Sequence, residues 1–289
     1  ILKDYPDLNT EVVKNGSAQL RYFFLPQGFK DVGRVVSFGY LICESQDEFD
    51  GLINQLSNVA RQLGVSKLIG PINFSTFFDY RLKINNFDLD SFPGEPRNSQ
   101  KEVKFFLTNG FSCFKKYYSH QFPARLTMKL YLSIALVGLW AKIKTAGKYK
   151  TIELSEDNYL NYLDVIYDIT VSTFSNNFLF QKISFDLFQE YFVSTYLPYI
   201  DFKTSLLVLS KNGDLVGYSL CLKDPTQSKR LLFKTIGVLK SERANGLVAL
   251  GIMNDVYFAT QKRYDLVLAC LMIEGNKMDR VFRGQNQNT

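Results

Sequence analysis

The residues with the most chemical content run from 229 to 248. This stretch holds the cations Lys229, Arg230, Lys234, Lys240 and Arg243 against one acid, Glu242, and it passes through Asn245-Gly246 just where an apolar helical pattern begins. A loop with Asn and Gly immediately before a helix turns several backbone N–H groups to one point, and the positive end of the helix dipole adds to the attraction for an anion. A pyrophosphate fits such a cradle; the same residues also serve as an ordinary turn. An earlier strand-helix-strand has the opposite loop: residues 44–50 hold Glu44, Asp47, Glu48 and Asp50 and no cation. An anion attracted to the later loop is repelled by the earlier one.

Other chemistries have less to stand on. The cysteines lie at 43, 113, 221 and 270, and His120 is the one histidine, so zinc-finger spacing and a CxxC redox pair are absent and no metal is expected. His120 sits at the end of the aromatic strand pattern Tyr117-Tyr118-Ser119-His120, which reads as structure rather than as half of a Ser-His or Cys-His couple. Cys270, among apolar neighbours, and Cys43 are expected to be buried and inert. Trp140 and the aromatic stretch 159–202 read as core, with a pocket lining as the alternative. Asp79 and Arg81 read as solvated surface, with an amine or carboxylate contact as the alternative. The net charge of +6 is short of the clustered basic stripe of a nucleic-acid binder. Its distribution is uneven: 14 Lys+Arg against 13 Asp+Glu up to residue 124, and 20 against 15 after it.

Residues 130–141 form an apolar run of twelve flanked by Lys129 and Lys142, well short of the about 20 that span a bilayer. The run predicts a buried connector helix. An interfacial amphipathic anchor is the second reading, disfavoured because the apolar residues go almost all round the helix. No charged-then-apolar leader follows Ile1, so a reduced, cytoplasmic protein without a membrane partner is expected.

The elements that must position the 229–248 stretch follow from periodicity. At 289 residues the chain is long enough for two compact units. Residues 32–43 read as a strand, and Phe49, Leu52, Ile53, Leu56, Val59, Ala60 and Leu63 give an amphipathic helix ended by Gly64. Residues 66–69 form a short strand, 74–110 a long irregular excursion, and 114–122 an extended closing segment. After the connector come a strand at 149–154, a helix capped by Ser155 through about 174, and a helix at 185–196. Strands at 206–210 and 215–222 meet at Asn212-Gly213, a hairpin signal. The strand 231–238, a helix at about 246–262, the strand 266–271 and a short helix after Asn276 complete the order β-α-α-β-β-β-α-β-α. Both halves contain a strand-loop-helix-strand ending near an Asn, Asn73 and Asn276, which reads as a pseudo-repeat.

At this level the residues resemble the GNAT acyltransferase superfamily. Arg243-Ala244-Asn245-Gly246-Leu247-Val248 is similar to the family's Q/R-x-x-G-x-G/A, matching the Arg and the first Gly. Residues 234–239 and 271–276 are similar to its strand-to-loop and strand-to-Asn segments. The first part resembles the N-terminal half of larger bacterial members, with Gly70-Pro71-Ile72-Asn73-Phe74-Ser75-Thr76 and Gly94-Glu95-Pro96 in similar context. The resemblance implies an α/β fold of two GNAT-like domains in tandem, each a mixed, mostly antiparallel sheet flanked by helices. Their bounds would be a degenerate domain at 1–124, the connector at 125–148 and an acyl-CoA-binding domain at 149–289.

The resemblance also implies an N-acetyltransferase that takes acetyl-CoA, or another acyl-CoA, as cosubstrate. Pantetheine would lie in the splay between 231–238 and 266–271, held by backbone groups of Ile236, Gly237 and Val238, and the N–H groups of Arg243, Ala244, Asn245, Gly246, Leu247 and Val248 would hold the pyrophosphate. Asn276 would lie near the pantetheine or the leaving thiolate, the Val238 N–H would face the developing oxyanion, and Glu274 is the candidate base. Two departures stand out: Val248 replaces the family's small residue, which predicts weaker cofactor affinity, and no Tyr follows Asn276 to protonate the thiolate. The acceptor is an amine of a small molecule or a peptide; no nucleic acid is expected and the oligomeric state is open. The alternatives are a catalytically inactive GNAT-like protein that binds a ligand or partner, and an N-acyltransferase using a long-chain donor on a carrier protein.

Overall fold

The computed structural model describes residues 3–125, 128–145, 147–242 and 246–275, with 128–131 as backbone alone. The chain divides into two units, Ile1–Phe114 with Ser175–Phe188, and Lys115–Phe174 with Gln189–Thr289.

The first unit is built on a four-stranded sheet in the order β1-β2-β3-β4. β1 (Asn9–Asn15) and β2 (Ala18–Phe24) form an antiparallel hairpin, and β3 (Val36–Ile42) adds antiparallel to β2. The hairpin turns at Asn15-Gly16, where Gly16 takes φ 62°, the left-handed conformation that the dipeptide favours. α1 (Gln46–Gln62) then crosses to β4 (Leu68–Ile69), which pairs parallel with β3. Its stripe of Phe49, Leu52, Ile53, Leu56 and Ala60 is buried against the sheet, as the spacing predicts. Within the expected irregular excursion lies a further helix, α2 (Gln100–Thr108), which starts with a Ser99–Glu102 capping box. It places Phe105 and Phe106 in the same core, with Phe106 4.8 Å from Phe49 between ring centroids.

The second unit carries a six-stranded sheet in the order β5-β10-β9-β8-β7-β6. The strands are β5 (Tyr117–Pro123), β6 (Tyr149–Glu153), β7 (Leu206–Ser210), β8 (Leu215–Lys223), β9 (Arg230–Val238) and β10 (Leu266–Ile273). β9 and β10 are parallel, and every other neighbouring pair is antiparallel. The helices are α3 (Met128–Lys144), α4 (Glu156–Asn161), α5 (Leu163–Phe174), α7 (Leu247–Gln261) and, from Gln189 on, α6 (Phe185–Tyr196). A Cβ on Gly217 would lie 3.7 Å from Ile252 of α7, whereas the hydroxyl of Tyr218, the next residue of β8, is 2.7 Å from that of Thr170 on α5. Successive strand residues point to opposite faces, so α7 and α5 cover the two faces of the sheet. Both sheets are mixed and mostly antiparallel, as expected.

The units are bounded differently from the expectation. The extended segment near 114–122 does not close the first unit: β5 pairs antiparallel with β10, from Leu266↔Pro123 to Ile273↔Tyr117, so the division falls after Phe114 and not at 124. Residues 175–188 belong to the first unit, where Leu179 joins its core and the Ser75 hydroxyl donates to the Gln181 carbonyl at 2.6 Å. The connector α3 is part of the second unit and packs on α7. It is not buried: Leu132, Leu136, Val137, Leu139, Trp140 and Ile143 are all exposed. The single helix expected after Ser155 breaks at Tyr162 into α4 and α5. Cys221 and Cys270 are buried as thiols, but Cys43 is only half-buried and corrects the reading that it is sealed. The helix expected after Asn276 lies outside the described residues.

The start of α1 generates a pH dependence. Glu48 accepts from the Ser17 hydroxyl at 2.8 Å and from the N–H groups of Glu44 and Ser45, and these bonds to its charged form hold its carboxyl below the ordinary range. A depressed carboxyl contributes stability above the unfolded-state pKa, and that contribution is lost as pH falls through the folded one. Glu48→Ala is therefore expected to lower stability at pH 7 by more than at pH 3, measured by urea unfolding. An equal gap at both pH values would contradict this.

Candidate functional site

The parallel register of β9 and β10 runs from Leu266↔Arg230 to Ala269↔Phe233 and ends there, although β9 continues to Val238 and β10 to Ile273. The cause lies in β10. Leu271 adopts φ 54°, its N–H donates to the Ser119 hydroxyl of β5 at 3.1 Å, and the β10–β5 register slips between Ala269 and Met272. A bulge of this kind bends its strand, and here it turns the end of β10 away from the line of β9.

Hydrogen bonding on the far side of β9 decides which backbone groups face the split. The Leu239 N–H donates to the Val216 carbonyl at 2.9 Å. Paired and non-paired positions alternate along an antiparallel ladder, so Gly237 spends its N–H and C=O on Tyr218 of β8. Ile236 and Val238 direct theirs to the other edge, toward the split. Gly237 has a separate reason to be glycine: a Cβ there would sit 2.8 Å from the Tyr218 ring and 2.9 Å from the Ile169 methyl. Its small size is required by packing under α5, not by close approach of a ligand.

α7 follows β9 after the loop that begins at Leu239. Gly246 is its N-cap, at φ 89°, and a Cβ there would meet nothing within 4 Å. Backbone conformation, not space, selects glycine, and glycine has no side chain with which to cap the helix. Leu247 opens the helix, and Val248 is buried in the core with Val208, Val216 and Ile252. The branched side chain of Val248 thus points into the protein, so the sequence-based expectation that it crowds a phosphate has no steric ground. Arg243, Ala244, Asn245 and Asn276 lie outside the described residues.

The cations that stand together in sequence are dispersed in space. Arg230 is at the opposite end of β9, where its Nε donates to Asp224 at 2.6 Å in a largely buried pair. Lys234 lies 4.9 Å from the ring centroid of Tyr196. Glu242, the acid of the stretch, accepts from the Tyr149 hydroxyl at 2.8 Å; burial and this bond push the Tyr149 hydroxyl pKa up. Sequence proximity along a strand overstates charge at one end of it, because a strand advances about 3.3 Å per residue.

Glu274 follows β10 directly. Its N–H donates to the Lys116 carbonyl at 2.9 Å and its Oε1 accepts from the Tyr118 hydroxyl at 3.3 Å. Tyr118 is a hydroxyl that sequence reading did not associate with the site, since only the pairing of β5 with β10 brings it there. His120 is buried on β5 with its ring stacked on Tyr118. Among the described residues no cluster of His, Cys, Asp or Glu is arranged to hold a metal. A cavity of about 390 Å³ lies beside the start of α7, lined by residues including Tyr149, Thr151, Val208, Leu247 and Val248.

The first unit shows the same motif closed. β3 and β4 pair at Val36↔Leu68 and Ser37↔Ile69, and the chain then stays against β3. The Ile72 N–H donates to the Phe38 carbonyl at 2.7 Å and Asn73 Oδ1 accepts from the Tyr40 N–H at 2.7 Å. A Cβ on Gly39 would sit 2.3 Å from Asn73 Oδ1, which shows how tightly the slot is filled. The matching helix start is filled too, by the Ser45–Glu48 capping box of α1.

No family model matches the chain, and no curated protein matches it by sequence. Solved structures do. A conserved protein of Enterococcus faecalis V583, described as a probable N-acyltransferase, is similar over 91% of this chain and 55% of its own at 8% identity and TM-score 0.48, so the chain spans about half of it. A GCN5-related N-acetyltransferase from Sphaerobacter thermophilus is similar over 99% and 80% at 10% identity and TM-score 0.43. A tandem GNAT protein of the clavulanic acid biosynthesis pathway is similar over 97% and 79% at 13% identity and TM-score 0.42. None of the three is similar enough to say what this chain acts on.

The packing around Gly237 sets a test of this geometry. Gly237→Ala is expected to destabilise the protein by about 1–3 kcal/mol, the usual cost of forcing a methyl into a filled space. Urea unfolding reads the effect, and unchanged stability would mean that Tyr218 and Ile169 are not packed where the structure has them.

Proposed function

We propose that the second unit is an acyltransferase that binds acetyl-CoA, or another acyl-CoA, in the split between β9 and β10 and passes the acyl group to an amine of a small molecule or peptide in the cytoplasm. The observation that supports this most is the split itself, together with α7, which follows β9 and starts at a glycine without a side-chain cap. Edge-facing groups of Ile236 and Val238 suit the two amides of a pantetheine arm, which binds as an added strand would. The N–H groups from Gly246 to Val248 suit the pyrophosphate.

In the reaction the amine nitrogen attacks the thioester carbonyl carbon, the carbonyl oxygen gains negative charge, and the C–S bond then breaks to release the thiolate. The Val238 N–H donates to that oxygen. Glu274, positioned by the Tyr118 hydroxyl, takes the proton from the amine. Tyr118 is also a hydroxyl able to return a proton to the thiolate, the role for which no Tyr follows Asn276.

A second reading is favoured by the dispersal of Arg230 and Lys234. A donor carried on an acyl-carrier protein brings the pantetheine without the adenine nucleotide, so the split would serve while the cationic surround is dispensable.

Calorimetric titration with acetyl-CoA tests the cradle. The wild type is expected to bind, and Gly246→Asp to bind at least about tenfold more weakly, since its carboxylate faces the same N–H groups as the pyrophosphate. Equal affinity of the two proteins would sink the cradle. Binding of an acylated carrier protein with no heat from acetyl-CoA would select the second reading.

A further inference from the structure

α3 is packed inside out. Its inward side is made of small residues: Ala141 is fully buried, and Gly138 meets Asn254 of α7 so closely that a Cβ would fall 2.1 Å from the Asn254 side chain. Its outward side carries Leu132, Leu136, Leu139, Trp140 and Ile143, which recur at four- and three-residue steps along one stripe. They are exposed, with Leu136 at 65%, Ile143 at 62% and Trp140 at 50% of their full surface. A soluble helix normally presents the reverse arrangement, and a continuous apolar patch of this kind marks an interaction surface.

The charge around the stripe points to its occupant. From residue 125 to 152 the chain contains Arg125, Lys129, Lys142, Lys144, Lys148 and Lys150 and no Asp or Glu. Lys142 and Lys144 flank the stripe on either side, a turn of about 100° per residue placing them beyond its two margins. Lys142 pairs with Asp255 of α7, while Lys144, Lys148 and Lys150 are exposed. An apolar face with a Trp and a lysine rim matches a surface that is apolar within and anionic outside. A second copy of the chain would bring the same rim of lysines without acids to meet them. No helix among the described residues is long and apolar enough to cross a membrane, so the helix would lie on the surface, not through it.

We propose that α3 docks the protein onto anionic lipid bilayers, with the stripe from Leu132 to Ile143 at the boundary of headgroups and acyl chains and the lysines of 144–150 against anionic headgroups. This assigns to α3 the interfacial role disfavoured from sequence and replaces the expectation of no membrane partner. It does not depend on acyl transfer by the second unit.

Trp140 is the one tryptophan of the protein, so its fluorescence reports on the stripe without labelling. With the full chain and vesicles of equal parts phosphatidylglycerol and phosphatidylcholine, Trp140 emission is expected to shift to the blue and the protein to sediment with the vesicles. Pure phosphatidylcholine should give much weaker binding. Leu136→Asp is expected to weaken binding by about tenfold or more, from lost apolar burial, and Lys144→Glu with Lys148→Glu by a similar factor, from lost attraction to anionic lipid. Circular dichroism checks that the variants are folded, and the wild-type measurement decides by itself if one is not. The proposal is overturned if wild-type protein stays in the supernatant with unchanged Trp140 emission, or if folded Leu136→Asp binds as wild type does. It is equally overturned if light scattering shows a wild-type dimer that Leu136→Asp dissociates, which would give the stripe to a second copy.

Discussion

Two parallel strands that part within a sheet create the constraint on which the rest of the second unit turns. Each inner edge carries N–H and C=O groups, and buried backbone groups must find partners. β9 resolves this by alternation: Gly237 and its like-facing neighbours serve β8, and Ile236 and Val238 face the split. The bulge at Leu271 keeps β10 from closing back, because its N–H is committed to Ser119 on the other side. Beyond Phe233 the edge of β9 is therefore not paired with β10.

The first unit meets the same constraint with its own residues. Ile72 and Asn73 take up the backbone of β3 beyond the β3–β4 pairing, and Glu48 with Ser45 takes up the N–H groups at the start of α1. The Phe38 carbonyl and the N–H groups of Tyr40, Glu44, Ser45 and Glu48 are all matched by bonds within the chain. The acidic loop at residues 44–50 is consistent with this, since Glu48 occupies the place an anion would take. The strand-helix-strand of the first unit is thus closed by particular hydrogen bonds within the chain.

Local signals were legible in the sequence and long-range ones were not. The stripe of α1, the Asn212-Gly213 hairpin, β9 and the glycine opening α7 follow from periodicity and turn chemistry. The Asn15-Gly16 hairpin carries the same kind of signal in a stretch to which no element is assigned, and the Ser99–Glu102 box lies within the segment expected to be irregular. No local pattern reveals that β5 pairs with β10, because that partnership joins residues about 150 apart, so Tyr118 and Ser119 could not be placed near the site. The cation cluster misled for a related reason: Arg230 and Lys234 are close in sequence to Lys240 but are drawn off by Asp224 and Tyr196. In α3 the hydropathy is high on all sides, and only the positions of Gly138 and Ala141 decide which side can approach another helix.

α7 is held from two directions, and this explains how an uncapped helix start keeps its place. Val248, Ile252 and Val256 anchor one side in the sheet's core, while Asn254 and Asp255 meet α3 through Gly138 and Lys142. Such packing fixes the axis of the helix without drawing on the N–H groups at Gly246, so those groups stay in position in the absence of a ligand. A binder whose donors are fixed in advance has less conformational entropy to lose when the ligand arrives. Relative to a capping side chain, glycine at an N-cap costs only about a few tenths of a kcal/mol, and the open start forgoes no more than that. The buried Asn254 Oδ1, which has no hydrogen-bond partner among the described residues, is a second local cost at the α3 contact. Close approach of α3 to α7 through Gly138 therefore rests on small size and van der Waals contact more than on polar pairing, and it is this close approach that leaves the large apolar side chains of α3 facing outward.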